Sequence, residues 1–198
     1  MLAATALLTM IGLLLPALLV ALGAALLQRG RGGQRPPLCW PALGLLALGA
    51  QLLLFNPPID EQPWALAWGP GLYIATLLGV LVVLLRNGLA RGAVRAPWLL
   101  AGLGIALNVL VILANGGLMP QSRDALRSIG GTPRPEHRLT NVAPLTDQTR
   151  LPWLADIIPE PDWLPLKNVV SVGDLLLAVG VAWALVARAP GRRAVPGA

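Results

Sequence analysis

Apolar residues fall into five blocks, at about 2–27, 38–55, 68–85, 98–114 and 172–187, and the residues between them are polar, Gly-rich or Pro-rich. Roughly 20 residues of helix are needed to cross about 30 Å of hydrocarbon, so each block predicts a membrane span. The first block has no basic segment ahead of it and is too long for a signal-peptide core, which predicts a retained helix kinked at Pro16. Gly69-Pro70 predicts a break or a start in the third block. The fold class that follows is all-α and integral to the membrane: one domain, a bundle of five transmembrane helices with a long, partly ordered extracytoplasmic loop between helices 4 and 5.

The polar segments alternate in charge. Arg29, Arg31 and Arg35 follow the first block, Arg86, Arg91 and Arg95 the third, and Arg188, Arg192 and Arg193 the fifth, with no acid among them. Acids sit in the other two connections: Asp60 and Glu61, then Asp124, Glu136, Asp147, Asp156, Glu160 and Asp162. Short cytoplasmic loops collect Arg, so the N-terminus is placed outside and the C-terminus in the cytoplasm of a multi-pass protein of the cell membrane. Most Trp residues and Tyr73 fall near the predicted boundaries, where amphipathic rings settle.

Composition agrees. Hydrophobic residues make up 56% of the 198 and charged residues 12%, which excludes a disordered chain and leaves too little polar surface for a soluble globule. The net charge of +6 is then a matter of orientation rather than of nucleic-acid binding, for which no aromatic-lined basic groove exists. Cys39 is the sole cysteine and forms no internal disulfide. Beside Trp40 it reads as an interfacial residue.

The outer segment 115–167 is far longer than an ordinary helix connection. Ser122 predicts the cap of a short helix over 123–128, stopped at Gly130 or Gly131. Residues 151–166, LPWLADIIPEPDWLPL, hold too many prolines for a long helix and too much Trp and Leu for open water. They predict a flap lying on the outer ends of the helices, with Trp153 and Trp163 packed against them.

Three strings, NGGLMPQS at 115–122, TRLPWLADIIPEP at 149–161 and NVVSVGDLLLAVG at 168–180, follow several apolar helices in that order. In this the chain resembles the bacterial membrane-protein family catalogued as domain of unknown function 5317. The resemblance implies a multi-span bacterial inner-membrane protein and no particular activity.

Candidate polar chemistry concentrates near the predicted outer surface. Asn115-Gly116-Gly117 reads as a helix C-cap, or as a ligand turn using glycine for close approach. Ser171 and Asp174 match a capping box ahead of the last span, with the acid on the helix dipole. An acid at the edge of a span also asks for a partner, which predicts a salt bridge from Arg150 or Lys167 and a polar face shared by Asn168, Ser171 and Asp174. Mid-span Asn108 must find an interhelical partner, with Gln51, Thr5 or Thr9 as candidates. His137 is the only histidine, and no metal ligand set, cofactor motif or nucleotide-binding loop accompanies it. The acids of 147–162 match no calcium-loop spacing and read as solvated charges.

The leading function is non-enzymatic: a bundle with an outer lid that binds a lipid, a small molecule or a membrane-protein partner. One alternative is a membrane aspartyl hydrolase resembling signal peptidase II in style, with Asp147 or Asp156 paired to Asp174. The other is ion- or proton-coupled transport through Asp174 and Asn108.

Overall fold

A computed structural model describes residues 39–90, 94–133, 138–164 and 167–187. The first apolar block with Thr5, Thr9 and Pro16, the Arg residues flanking 2–27, His137, Glu136 and the C-terminal Arg residues lie outside the described residues.

The described chain is mostly helical. Its α-helices are α1 (Pro41–Leu54), α2 (Pro63–Leu89), α3 (Arg95–Ala114), the short α4 (Arg123–Ser128) and α5 (Val172–Val186). Two of them, α2 and α3, are long and apolar enough to cross a membrane, while α1 and α5 are apolar but shorter. At 1.5 Å per residue the 14 residues of α1 and 15 of α5 give about 21 and 23 Å, so the second and fifth blocks are shorter as helices than their apolar runs suggest.

The third block differs from expectation the other way. Helix α2 starts at Pro63 and continues through Pro70. Proline at the first turn lacks an amide that would be unpaired anyway, so the start falls there. At Pro70 one helical hydrogen bond is lost, and an apolar setting leaves no better use for the remaining backbone groups than to continue the helix.

Helices pack in chain order, α1 on α2 and α2 on α3, and then α5 closes on α3 in the most intimate helix contact among the described residues. Small residues make that contact: a Cβ added at Gly180 would meet Ala101 N at 2.5 Å and Pro97 O at 2.7 Å, and one at Gly104 would meet Leu177 N at 2.6 Å. Pro97, Ala101, Gly104 and Asn108 are buried and line one stripe of α3. Leu99, Leu103, Leu110 and Leu113 are exposed on the rest of that helix.

The outer segment contains small β elements that hydrophobic periodicity did not reveal. Strand β1 (Met119–Gln121) pairs in parallel with β2 (Val142–Pro144), and β3 (Ile158–Pro159) pairs antiparallel with β4 (Val169–Val170). A bridge from Gln121 to Asp156 ties the two pairs together. These segments are two or three residues long, below the length at which alternation carries a signal. The one-turn helix Pro152–Leu154 rests against α3 and α5.

The flap is thus seated, but with a different surface inward than its composition suggests. Leu151 and Leu154 pack on the core, whereas Trp153 is 63% exposed and Trp163 76%. The expectation that both Trp rings are buried against the helices is corrected. An amphipathic ring at an interface loses nothing by facing outward, and two leucines suffice to seat the segment.

Candidate functional site

Ser171 is the N-cap of α5, and the capping box is complete: the Asp174 amide donates to Ser171 Oγ at 3.0 Å, and the Ser171 amide donates to Asp174 Oδ2 at 2.9 Å. The other carboxylate oxygen, Oδ1, accepts from Asn108 Nδ2 at 2.7 Å. The Ser171 hydroxyl faces Asn108 Oδ1 and Asp174 Oδ2, both at 2.9 Å, one proton between two acceptors. Asn108, Ser171 and Asp174 therefore form a closed knot in which both Asp174 oxygens are occupied. Gly173 makes the knot fit, since a Cβ there would collide with the Asn108 amide.

Arg150 is not part of it, and neither is Lys167. The described ion pairs include none to Asp174, and Lys167 pairs with Asp162 at 2.9 Å. The expected salt bridge is replaced by the Asn108 amide, a neutral donor that needs no counter-charge brought into an apolar region. Gln51, one of the three candidate partners of Asn108, donates instead to Thr76 Oγ1 at 2.9 Å.

Arg150 is held by its backbone. The Asn115 side chain accepts from the Arg150 amide and donates to the Arg150 carbonyl, both at 2.9 Å. Asn115 also ends α3, and Gly116 and Gly117 follow it at φ 73° and 93°, values glycine adopts freely. The Gly117 amide returns to the Ile112 carbonyl at 2.9 Å. These residues do cap a helix, and the cap side chain anchors the flap.

Asp156 and Glu160 are not solvated. They are 8% and 5% exposed, and Asp156 Oδ1 and Glu160 Oε1 are buried with no hydrogen-bond partner. The Asp156 amide donates to Pro120 O at 2.9 Å and its carbonyl accepts from the Ser122 amide at 2.8 Å, which fixes the residue beside β1. Glu160 Oε2 accepts from the Asn168 backbone amide at 2.9 Å, and Asn168 lies ahead of β4, outside the helix that carries Asp174. Burial pushes the Asp156 carboxyl well above the ordinary carboxylate range; the negative charge of Asp174 adds to this and the bond from Gln121 opposes it. Glu160 is pushed up as well, first by burial and then by Asp174, against the Asn168 amide. Asp147 is exposed in a turn and belongs to no such group.

Reasoning from the sequence missed three contributors. Tyr73 of α2 is buried, hydrogen-bonded to the Asn141 side chain and edge-on to Phe55 at 5.3 Å. Arg138 reaches Asp60 at 3.7 Å and bonds Glu61, while the Leu139 amide donates to Asp60 O at 2.7 Å. These three contacts clasp the α1–α2 connection to the segment 115–167. Asn87 acts at the far end of α2, bonding the Cys39 backbone. Each signal was a single residue, which sequence alone does not pair with a distant partner. Among the described residues no group of three or more His, Cys, Asp or Glu is placed to hold a metal ion.

A mostly helical chain with two helices long and apolar enough to cross a membrane, and a buried polar knot beside the segment 115–167, is the class that the geometry defines. The chain belongs to the family of unknown function DUF5317, whose model matches residues 36–186. No curated protein and no solved structure matches it.

Proposed function

We propose that the chain is a multi-pass membrane protein with five spans, N-terminus outside and C-terminus in the cytoplasm, and that it works as a binding or partner-interacting bundle under an outer lid. The occupied carboxylate of Asp174 carries the non-enzymatic part of this reading. A general base or nucleophile directs a lone pair at substrate, whereas the bonds from Asn108 and Ser171 engage both Asp174 oxygens and hold the carboxylate to the helix cap, which favours a structural role. The outward leucines of α2 and α3 support membrane insertion, because rows of this kind are stable in hydrocarbon. Ligands of suitable chemistry are a lipid, a small apolar molecule or an apolar helix of another membrane protein.

The second reading, an aspartyl hydrolase resembling signal peptidase II in style, draws on one feature: burial raises the proton affinity of the Asp156 carboxyl, and the charge of Asp174 adds to it. Ion- or proton-coupled transport through Asn108 is a third, and the closed knot around that amide counts against it.

Two experiments test the proposal. In a Cys39→Ala background, single cysteines at Ser128 and Ala198 are labelled with an impermeant maleimide; Ser128 is expected to react from outside and Ala198 only after permeabilisation. Cytoplasmic labelling of Ser128 reverses the topology. Asp174→Asn and Asp156→Asn are then assayed for cleavage of helical membrane peptides, and cleavage by the native chain that both variants abolish replaces the binding reading with the hydrolase.

A further inference from the structure

The two acids at either end of β3 share an unusual position. Asp156 precedes the strand and Glu160 follows it, both are more than nine-tenths buried, and each has one carboxyl oxygen without a donor. An ionised carboxylate calls for several donors or a cation, whereas a neutral acid has half as much to satisfy and supplies a donor of its own.

Among the described residues no cation pairs with them. The α4 helix packs on β3 and brings Arg123, Asp124 and Arg127, of which Arg127 pairs with Asp124 at 3.4 Å and none reaches either acid within 4.0 Å. Ahead of β4, Lys167 pairs with Asp162. From β1 comes Gln121, bonded to Asp156, from α2 the Tyr73 hydroxyl, and from α5 the negative Asp174. The groups that touch the two acids directly are neutral, and the nearby cations Arg127 and Lys167 are paired with other carboxylates.

Backbone geometry links these acids to the lid. Asp156 is bonded in both directions to the β1 region, and the Glu160 amide donates to Asn168 O at 2.9 Å while its side chain takes the Asn168 amide. Between them, the acids fix both ends of the strand that joins the flap to β1 and to the entry of α5.

We propose that the flap is a proton latch: Asp156 and Glu160 seat β3 as neutral carboxylic acids, and loss of their protons releases the strand and opens the lid. The raised affinity of both groups for protons agrees with this. Because folding raises these values, the seated state is fully favoured below the ordinary carboxylate range, about pH 4, and weakens as pH climbs through the raised values. The latch is independent of what the bundle binds.

The test is a spin label at Ile157→Cys in the Cys39→Ala chain, in nanodiscs, read as label mobility from pH 5 to pH 9. The mobile fraction is expected to rise about tenfold per pH unit for each proton lost, until it saturates. Asp156→Asn with Glu160→Gln, which keep shape and remove the ionisation, should hold the label immobile throughout. Asp174→Asn provides a second measure that leaves both acids in place: with its charge gone the midpoint should move to lower pH. A label whose mobility ignores pH, a transition that survives in the Asn/Gln chain, or a midpoint that Asp174→Asn moves upward overturns the latch.

Discussion

The two ends of the molecule solve one problem with the same device. At one end, Asn87 of α2 accepts from the Cys39 amide at 2.8 Å and donates to the Cys39 carbonyl at 2.9 Å. At the other, Asn115 of α3 does the same for Arg150. In each case the next residue, Trp40 or Leu151, has a positive φ, 53° and 54°. A carboxamide with one donor and one acceptor edge satisfies a whole residue's backbone, which steadies a left-handed residue that costs roughly 1–2 kcal/mol outside glycine. The difference is burial. Both carboxamides also donate to the carbonyl four residues back, Asn87 to Val83 O at 2.7 Å and Asn115 to Val111 O at 2.8 Å, but Asn87 is 3% exposed whereas the bonds from Asn115 to Arg150 are open to solvent. One clamp is fixed and the other exchangeable, and the exchangeable one belongs to the flap.

Breaking the buried clamp should have the largest effect. Asn87→Ala leaves the Cys39 backbone without its partner in a site that water replaces poorly, so a loss of about 2–4 kcal/mol is expected, read as a lowered midpoint of unfolding in detergent. Next comes the knot under the flap. Asn108→Ala strips a hydrogen bond from a part-buried carboxylate, for an expected loss of about 2 kcal/mol in the same assay. Protease should then also cut faster between residues 130 and 147. Should Asn108→Ala cost more than Asn87→Ala, the ranking by burial fails.

Asn115→Ala should cost less, about 1 kcal/mol, because water can reach the freed Arg150 groups. Its signature is local: faster cleavage near Thr149 and Arg150, with the main unfolding midpoint nearly in place. Trp40→Gly is the smallest. It relieves the left-handed strain but gives up the Arg86 guanidinium stacked 5.9 Å from the ring, two contributions of about 1 kcal/mol that nearly cancel. A change within about 0.5 kcal/mol is expected, and a larger loss would assign Trp40 more than a stacking role.

This contrast also marks how far the sequence could be read. Apolar block length located α2 and α3, and local capping chemistry located Ser122, Asn115 and the Ser171–Asp174 box, because those patterns act within one turn. Partners of Asn108, Asn115 and Asn87 lie 35 to 66 residues away, and a single Asn in an apolar run does not say whom it meets. Asp156 and Glu160 look like solvated loop acids until β1 and β4 are drawn around them. Arg150 attracted attention for its charge, yet the fold uses its peptide.

The knot also sets an order on assembly. Asn108 is made early, in α3, while Ser171 and Asp174 come 63 and 66 residues later. During synthesis that amide waits without its partners, and the stripe of Pro97, Ala101 and Gly104 waits with it until the last helix arrives. A nascent chain stopped before Val172 would therefore display an unfilled polar notch beside a bare groove of small residues. Completion of α5 is the event that fills both.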